Sequence, residues 1–475
     1  MQGLASSEQE MRLRRLFADL LIKKGYEKEV YLLDLSAFFK SHGVYTLSEV
    51  QDLWRGHLSK AEVCRHYFSL YVHIPFCRKR CSFCRHYEWT CSSENQLRLY
   101  LDSLVFEIRA FKEIFSGVMF KSLYVGGGTA NILSPEQIDR LLSEIDLNFR
   151  FDDHAEKTFE CNPNESSMEK LSVFAGHGIN RVSFGVQSYS QDVLGCTHRA
   201  HQSEEMVASA IRDAQRFPAF HKINADLLIG LHNDSPKTVC DSFLKLAQLG
   251  TGSISLYALK PPLHYIKKYY RGRQDLYDEA LSEKLRDFER LVAPITEEFD
   301  YVFTPLKEIR ANFDAWMFTL RKNYHTGRIY KYVTAEFPID CLGLGTGAVS
   351  TITDHAFYKN QSFTPSAQGG TFEQNGRYRG CLKYGPKEQR VLFILGEIAT
   401  WNRISKTQYR GMFGSDITAD FTVELERLSA LGVVSLTDAF VIFERKKPEE
   451  RFFYALFFLD HKMIFDAMEK LKTKV

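Results

Sequence analysis

Three cysteines fall within eight residues, in Tyr71-Val-His-Ile-Pro-Phe-Cys-Arg-Lys-Arg-Cys-Ser-Phe-Cys84. Cys77, Cys81 and Cys84 follow a C-x3-C-x2-C spacing. Three thiolates on one tight loop suit three irons of a [4Fe–4S] cube, and no fourth thiolate follows at regular spacing, so one iron stays open to a ligand. Two other chemistries use the same residue types. A zinc site would add His86 as fourth ligand, although zinc loops usually come as paired C-x2-C knuckles. A disulfide framework would need a secreted chain, and the sequence shows no such signature. Arg78, Lys79, Arg80 and Arg85 flank the loop and favour the thiolate form.

Further polar and small residues recur downstream at regular intervals. Gly126-Gly127-Gly128-Thr129 is a turn in which backbone carbonyls can approach a cation without side chains in the way. Glu160 offers a carboxylate suited to hydroxyl groups, and Gln187 an amide that donates and accepts at once. Arg199 carries a guanidinium fork that grips carboxylates. Asp226 and Tyr257 complete the series, each at the end of an apolar run. Gly343, Gly345 and Gly347 form a second small-residue stretch, in Asp340-Cys-Leu-Gly-Leu-Gly-Thr-Gly-Ala-Val-Ser350, which brings backbone close to a ligand or a neighbouring element.

The cysteine spacing with its Tyr-x-His-Ile-Pro-Phe-Cys flank resembles the radical SAM superfamily, in its oxygen-independent coproporphyrinogen III oxidase-like branch. The resemblance implies a [4Fe–4S] cluster on Cys77, Cys81 and Cys84 and S-adenosylmethionine (SAM) on its open iron. It implies SAM contacts at Gly126, Gly127, Gly128 and Thr129 for the amino group, at Arg199 for the carboxylate, and at Glu160, Gln187 and Asp226. Phe83 would lie near the adenine, and Tyr71 and His73 near the cluster or SAM. Gly345 and Gly347, with Gly343, match the family's G-x-G-x-G-A segment, near which some members bind a second SAM. The implied reaction is reductive cleavage of SAM to a 5′-deoxyadenosyl radical, fed by a one-electron donor such as flavodoxin or ferredoxin. The substrate would be a small molecule, a tetrapyrrole or heteroaromatic.

This chain departs from the branch in three places. The decarboxylating members carry a fourth cysteine two residues after the third, where this chain has Cys84-Arg85-His86 and no further thiol until Cys91. Ala130-Asn131 stands where proline usually follows the glycine turn, and His232 stands where proline follows Gly-Leu. These departures favour a two-SAM methyltransferase over oxidative decarboxylation of coproporphyrinogen III, with a heme-binding chaperone as the reading from a different class.

The elements that must position these residues are an alternation of strand and helix. Apolar or β-branched runs lie at 69–74, 122–125, 157–160, 181–187, 221–229 and 253–259, and helical patterns lie between them at 96–115, 135–145, 168–175, 203–216 and 236–249. Such alternation means parallel strands with crossover helices. Six units predict an α/β fold, a partial (β/α)6 barrel over 67–260, with chemistry at the C-terminal strand ends. Residues 1–66 read as an N-terminal helical extension, with apolar stripes over 8–23, 30–39 and 47–58. Residues 261–380 read as an irregular, aromatic-rich cover. Residues 381–475 read as a winged-helix-like domain whose second helix is not basic.

The whole chain has 475 residues, 44% of them hydrophobic and 25% charged, with a formal net charge of +2. That balance is globular and gives no reason to expect nucleic acid or an anionic membrane as partner. No apolar run reaches the ~18–20 residues of a membrane span. Ten cysteines without an apolar leader predict a reducing, cytoplasmic setting.

Overall fold

A computed structural model describes residues 12–18, 43–60, 63, 66–84, 89–305, 315–321, 339–352, 356–366, 369–373, 376–381, 386–444, 453–459, 464 and 468. The expected helix over 30–39, His86, Tyr324, Tyr330 and Tyr332 lie outside the described residues.

The strand runs and helical patterns fold as alternating units. The strands are β1 Gly43–Tyr45, β2 Tyr67–Ile74, β3 Met119–Gly127, β4 Arg150–Cys161, β5 Arg181–Gln187, β6 Lys222–Ile229 and β7 Ser253–Ala258. The helices are α1 Leu47–Leu58, α2 Glu94–Phe111, α3 Pro135–Asn148, α4 Met168–Gly176, α5 Gln191–Cys196, α6 Glu204–Gln215 and α7 Pro236–Gln248. Local chemistry fixes where several of them start. Ser134 caps α3 and Ser235 caps α7, each in a capping box with a proline in the first turn. Such a cap is worth about 1 kcal/mol, and proline there loses no hydrogen bond.

β2 to β7 pair in sequence order, all parallel. This is the α/β architecture expected of a partial barrel. A seventh parallel strand joins at the β2 edge. It is β10, Ile339–Leu344, which carries Asp340 and Gly343 and pairs Gly343 with Tyr71. β8 Tyr301–Pro305 and β9 Ala315–Leu320 close the β7 edge as an antiparallel pair. β11 Val349–Ile352, β12 Ala356–Asn360 and β13 Tyr378–Cys381 extend the other edge antiparallel, and β1 pairs with β13. The sheet therefore holds thirteen strands.

The structure corrects the expectation that 261–380 is irregular. Helix α8 spans Leu263–Tyr270 and helix α9 spans Gln274–Glu298, 25 residues long. Tyr277, Phe288 and Val292 of α9 are buried, and Leu281, Leu285 and Ile295 pack partly buried against the same core. That helical spacing is present in the sequence. It is diluted by polar residues on the outer face and by Pro294 within the helix.

The two ends of the chain behave differently. Residues 43–58 merge into the large sheet: Thr46 and Glu49 cap α1 reciprocally, and Val50 and Trp54 enter the main core. The helical residues 12–18 instead join the C-terminal core, with Phe17 and Ala18 among Ile394, Ile404, Leu425 and Phe457. Buried Arg14 donates to the carbonyls of Leu456 and Leu459 and lies over the Phe457 ring. The C-terminal region has the expected winged-helix-like order. Helices α10 Pro386–Trp401, α11 Lys406–Phe413, α12 Ile417–Asp420 and α13 Thr422–Ala430 surround a three-stranded antiparallel sheet of β14 Arg403–Ser405, β15 Val434–Leu436 and β16 Phe440–Phe443. Among the described residues, no helix is long and apolar enough to cross a membrane.

Gly343 is required by packing. A Cβ there would stand 2.5 Å from the Val349 carbonyl oxygen, an atom of the β11 backbone. Gly343→Ala should therefore cost about 1–3 kcal/mol through overpacking, read as a lower denaturant midpoint with unchanged slope. An unchanged midpoint would contradict this close approach of β10 and β11.

Candidate active site at the strand ends

The cysteine loop leaves the C-terminal end of β2 and is held from two sides. On one side, Phe76–Cys77 pairs parallel with Trp89–Thr90, and the Cys91 amide donates to the Cys77 carbonyl at 2.9 Å. On the other, Ser82 donates through its amide to Thr197 O at 3.2 Å and through its hydroxyl to Cys196 O at 3.1 Å. His264 of α8 reaches Ser82 O at 2.9 Å. Within the loop, Cys84 N donates to Cys81 O at 3.2 Å.

Cys77, Cys81 and Cys84 form no disulfide, and each is half-buried. The Thr129 hydroxyl donates to Cys77 Sγ at 3.4 Å, and Arg199 Nη1 donates to Cys81 Sγ at 3.9 Å. Burial pushes the Cys77 thiol up to about 11; the Thr129 hydrogen bond opposes this, Cys84 and Cys81 add to it, and Arg199 opposes it. Three thiolates side by side repel one another, and a bound cationic centre is what deprotonates such a set.

Several of the expected SAM contacts are tied to this loop or to the strand ends beside it by short internal bonds. Glu160, at the end of β4, accepts from Gly127 N at 3.2 Å and from the Tyr124 hydroxyl. His73 accepts or donates at Nδ1 to the Tyr71 hydroxyl, 2.8 Å away. Gly128 N donates to Ile74 O and Thr129 N to Phe76 O, both at 2.8 Å, so the glycine turn is sewn to the start of the cysteine loop. The three glycines serve that closeness. A Cβ at Gly126 would stand 2.4 Å from Glu160 Oε2, one at Gly127 2.8 Å from the His73 ring, and one at Gly128 2.7 Å from Phe76 O. Gly127 also has φ +118°. On the Cβ side, therefore, each of these positions is filled by the protein's own atoms.

Gln187 ends β5 with φ 69°, rare for a residue with a side chain, next to a register shift between Gly185 and Gln187. Arg199 is buried. Its Nη2 donates to Gly185 O at 2.6 Å and to Gln202 Oε1 at 2.8 Å, while its Nε is buried without a hydrogen-bond partner. Asp226 accepts from Ser183 Oγ and from Asn224 Nδ2, each at 2.9 Å. Burial raises the Asp226 carboxyl, buried Arg181 lowers it, and Glu160 raises it further. Tyr257, on β7, is partly buried beside this group. Phe83 packs with Val193, Leu231, Leu259 and Tyr265 in a small apolar cluster next to Cys81 and Cys84.

Gly345 and Gly347 lie in the turn between β10 and β11, where Ala348 N donates to Gly345 O at 3.0 Å. Both have positive φ, +88° and +98°. A Cβ at Gly345 would stand 2.4 Å from the Tyr100 hydroxyl and 2.6 Å from His73 O. This turn abuts β2 directly. Glu107, absent from the sequence reading, holds it in place. Its buried carboxylate accepts from Gly345 N at 2.8 Å, from Asn360 Nδ2 and from the Tyr378 hydroxyl at 3.0 Å. Gln202, Ser183 and Asn224 were also missed. Gln202 sits three residues after Arg199, a spacing that signals a shared turn, whereas Glu107 reads in sequence as an ordinary polar helix residue.

The donor set fits a cluster better than a single ion. A mononuclear zinc centre holds its sulfurs about 3.8 Å apart, from Zn–S bonds of about 2.3 Å. Among the described residues, one group of three His, Cys, Asp or Glu has its ligand atoms all within 4.8 Å, and it is not the cysteines. The wider spread of the three sulfurs suits a multi-iron centre. The buried, unpartnered Arg199 Nε leaves a donor for an anionic ligand beside it.

Comparisons with known proteins bear on the domain that carries this loop. The pattern of the Radical SAM superfamily matches residues 71–244, which run from within β2 to within α7. The chain carries a radical SAM domain. Oxygen-independent coproporphyrinogen III oxidase from Escherichia coli (strain K12) is 29% identical over 296 residues, 62% of this chain and 63% of its own length. The heme chaperone HemW from Haemophilus influenzae is 31% identical over 195 residues, 40% of this chain and 50% of its own. The alignment thus spans less than two thirds of either relative. The solved structure of E. coli coproporphyrinogen III oxidase, described as a radical SAM enzyme, superposes with a TM-score of 0.65 at 22% identity. It covers 86% of this chain and 92% of that one, and shows that the fold is shared. The cofactors of the radical SAM superfamily are a [4Fe–4S] cluster and SAM, and the thiol spread and Arg199 of this domain fit them.

Burial raises Glu107 to about 7, against the hydrogen bonds from Gly345, Tyr378 and Asn360. A carboxyl raised on folding binds its proton more tightly in the native state than in the unfolded chain. Stability should then fall as pH rises from about 4.5 to 7, by about 3 kcal/mol from this group. Glu107→Gln should remove that part of the slope in denaturant titrations between pH 5 and 7.5. An identical slope in the variant would contradict the assignment.

Proposed function

We propose that this chain is a radical SAM enzyme acting on a tetrapyrrole of the coproporphyrinogen type. The carrying observation is the three-cysteine loop at the open end of β2, with Thr129 and Arg199 each donating to one of its thiols. Relatives that are coproporphyrinogen oxidases or heme chaperones support a tetrapyrrole over a heteroaromatic substrate. Methyl transfer with a second SAM, the first expectation from the sequence, draws no support from those names. The tight packing of Gly345 against His73 O and Tyr100 also makes that turn part of the scaffold.

When bound, the reduced cluster supplies the electron that splits the sulfonium of SAM. The chain's own residues do the rest. Cys77, Cys81 and Cys84 hold three irons, and Thr129 and Arg199 stabilise negative charge on two of the sulfurs. Arg199 would offer its remaining donor to a carboxylate, Glu160 and Gln187 stand at the ends of β4 and β5, and Asp226, expected at a strand end, lies midway along β6. Phe83 and its apolar neighbours keep water from one flank of the loop. A one-electron donor such as flavodoxin or ferredoxin completes the scheme.

A heme chaperone is the second reading. It is favoured by the match to HemW and by Arg85-His86, which replace the Cys-x-Cys of the decarboxylating members. Anaerobic product analysis with labelled SAM and coproporphyrinogen III separates the readings. The proposal expects 5′-deoxyadenosine formed only with the tetrapyrrole present, and a loss of at least about 1,000-fold in Cys81→Ala, as for removal of a transition-state contribution of about 4 kcal/mol. Stoichiometric heme binding without SAM turnover would transfer the assignment to the chaperone. Label in a methylated product would restore the methyltransferase.

A further inference from the structure

The group of three close ligand atoms lies away from the cysteine loop. His57 ends α1, His66 precedes β2, and Asp340 sits near the start of β10. His57 Nε2 and His66 Nδ1 each stand 2.7 Å from Asp340 Oδ2, and the three ligand atoms lie within 4.8 Å of one another. Asp340 is fully buried, and the side chains of His57 and His66 are 3% and 11% exposed. Phe68 pairs with Asp340, and Ile74, where the cysteine loop begins, lies six positions further along β2. At about 3.3 Å per residue, the group lies about 20 Å from that loop, at the opposite end of the strands.

We propose that His57, His66 and Asp340 form a second metal site, for one divalent transition ion of the zinc type. Two imidazoles and one carboxylate are a recurring donor set for such ions. The set draws one ligand from α1, one from the residue just before β2 and one from β10. Asp340 carries the negative charge, held well below the ordinary carboxylate range by the hydrogen bonds and charges of His57 and His66 against the cost of burial. A divalent ion neutralises that charge and leaves the imidazoles neutral, as ligation requires. The ion ties α1, and β1 before it, to the paired starts of β2 and β10. Its role is structural: its binding free energy adds to folding and does not enter the radical chemistry.

The test measures zinc and iron together in the full chain carrying its reconstituted cluster, after zinc saturation and gel filtration. About one zinc per chain is expected, as for a structural site, and zinc should raise the melting temperature. His66→Gln and His57→Gln, which keep size and polarity, should lose the zinc and the zinc-dependent shift while iron content stays unchanged. Asp340→Asn is the third variant, read only if it remains folded by circular dichroism. No retained zinc in the parent chain, or the same zinc content in both histidine variants, would overturn the proposal and leave the three side chains as a hydrogen-bonded clamp.

Discussion

Three sulfur atoms that repel one another as thiolates must be kept at fixed spacing beside the open end of a parallel sheet. The surrounding structure serves that constraint. The loop's first cysteine is pinned by pairing with Trp89–Thr90, and its middle by Ser82 bonds to the α5 end. The glycine turn after β3 is bonded to the loop's beginning, and the turn after β10 is pressed against His73. Arg199 and Thr129 then supply the donors that a negative sulfur needs. Each anchor comes from a different element, so the loop is only as well placed as the strand ends are.

That dependence gives the glycines a packing role. Gly126, Gly127, Gly128 and Gly345 stand where any Cβ would strike His73, Glu160, Tyr100 or the loop backbone. The ends of β2, β3 and β10 can therefore converge on one point. Glu107 and Glu160 act in the same way on the two turns, each spending a carboxylate on a glycine amide. A buried carboxylate is costly unless it is hydrogen-bonded, so both sites reward exact placement of the turn they hold.

Much of this was legible in the sequence because periodicity and spacing are local. The six strand–helix units, the capped starts of α3 and α7, and the cysteine loop with its downstream polar residues could be placed from residue order. What escaped depended on contacts between distant segments. Nothing local says that 339–344 pairs parallel with β2, or that Glu107 of α2 reaches Gly345 and Tyr378. The long helix Gln274–Glu298 was hidden by its polar outer face, and the bond between residues 12–18 and the C-terminal core by their separation in sequence. The triad of His57, His66 and Asp340 spans three segments, so no spacing rule marks it.

The central claim is that the three thiols hold a four-iron cluster with one iron open to SAM. The most direct measurement is electron paramagnetic resonance of the anaerobically reconstituted, reduced protein, with and without SAM, alongside Mössbauer spectra. The account predicts a single [4Fe–4S]+ signal whose g-values shift when SAM is added, and its absence when Cys77, Cys81 and Cys84 are all replaced by alanine. A spectrum indifferent to SAM, or one that survives the triple replacement, would contradict it.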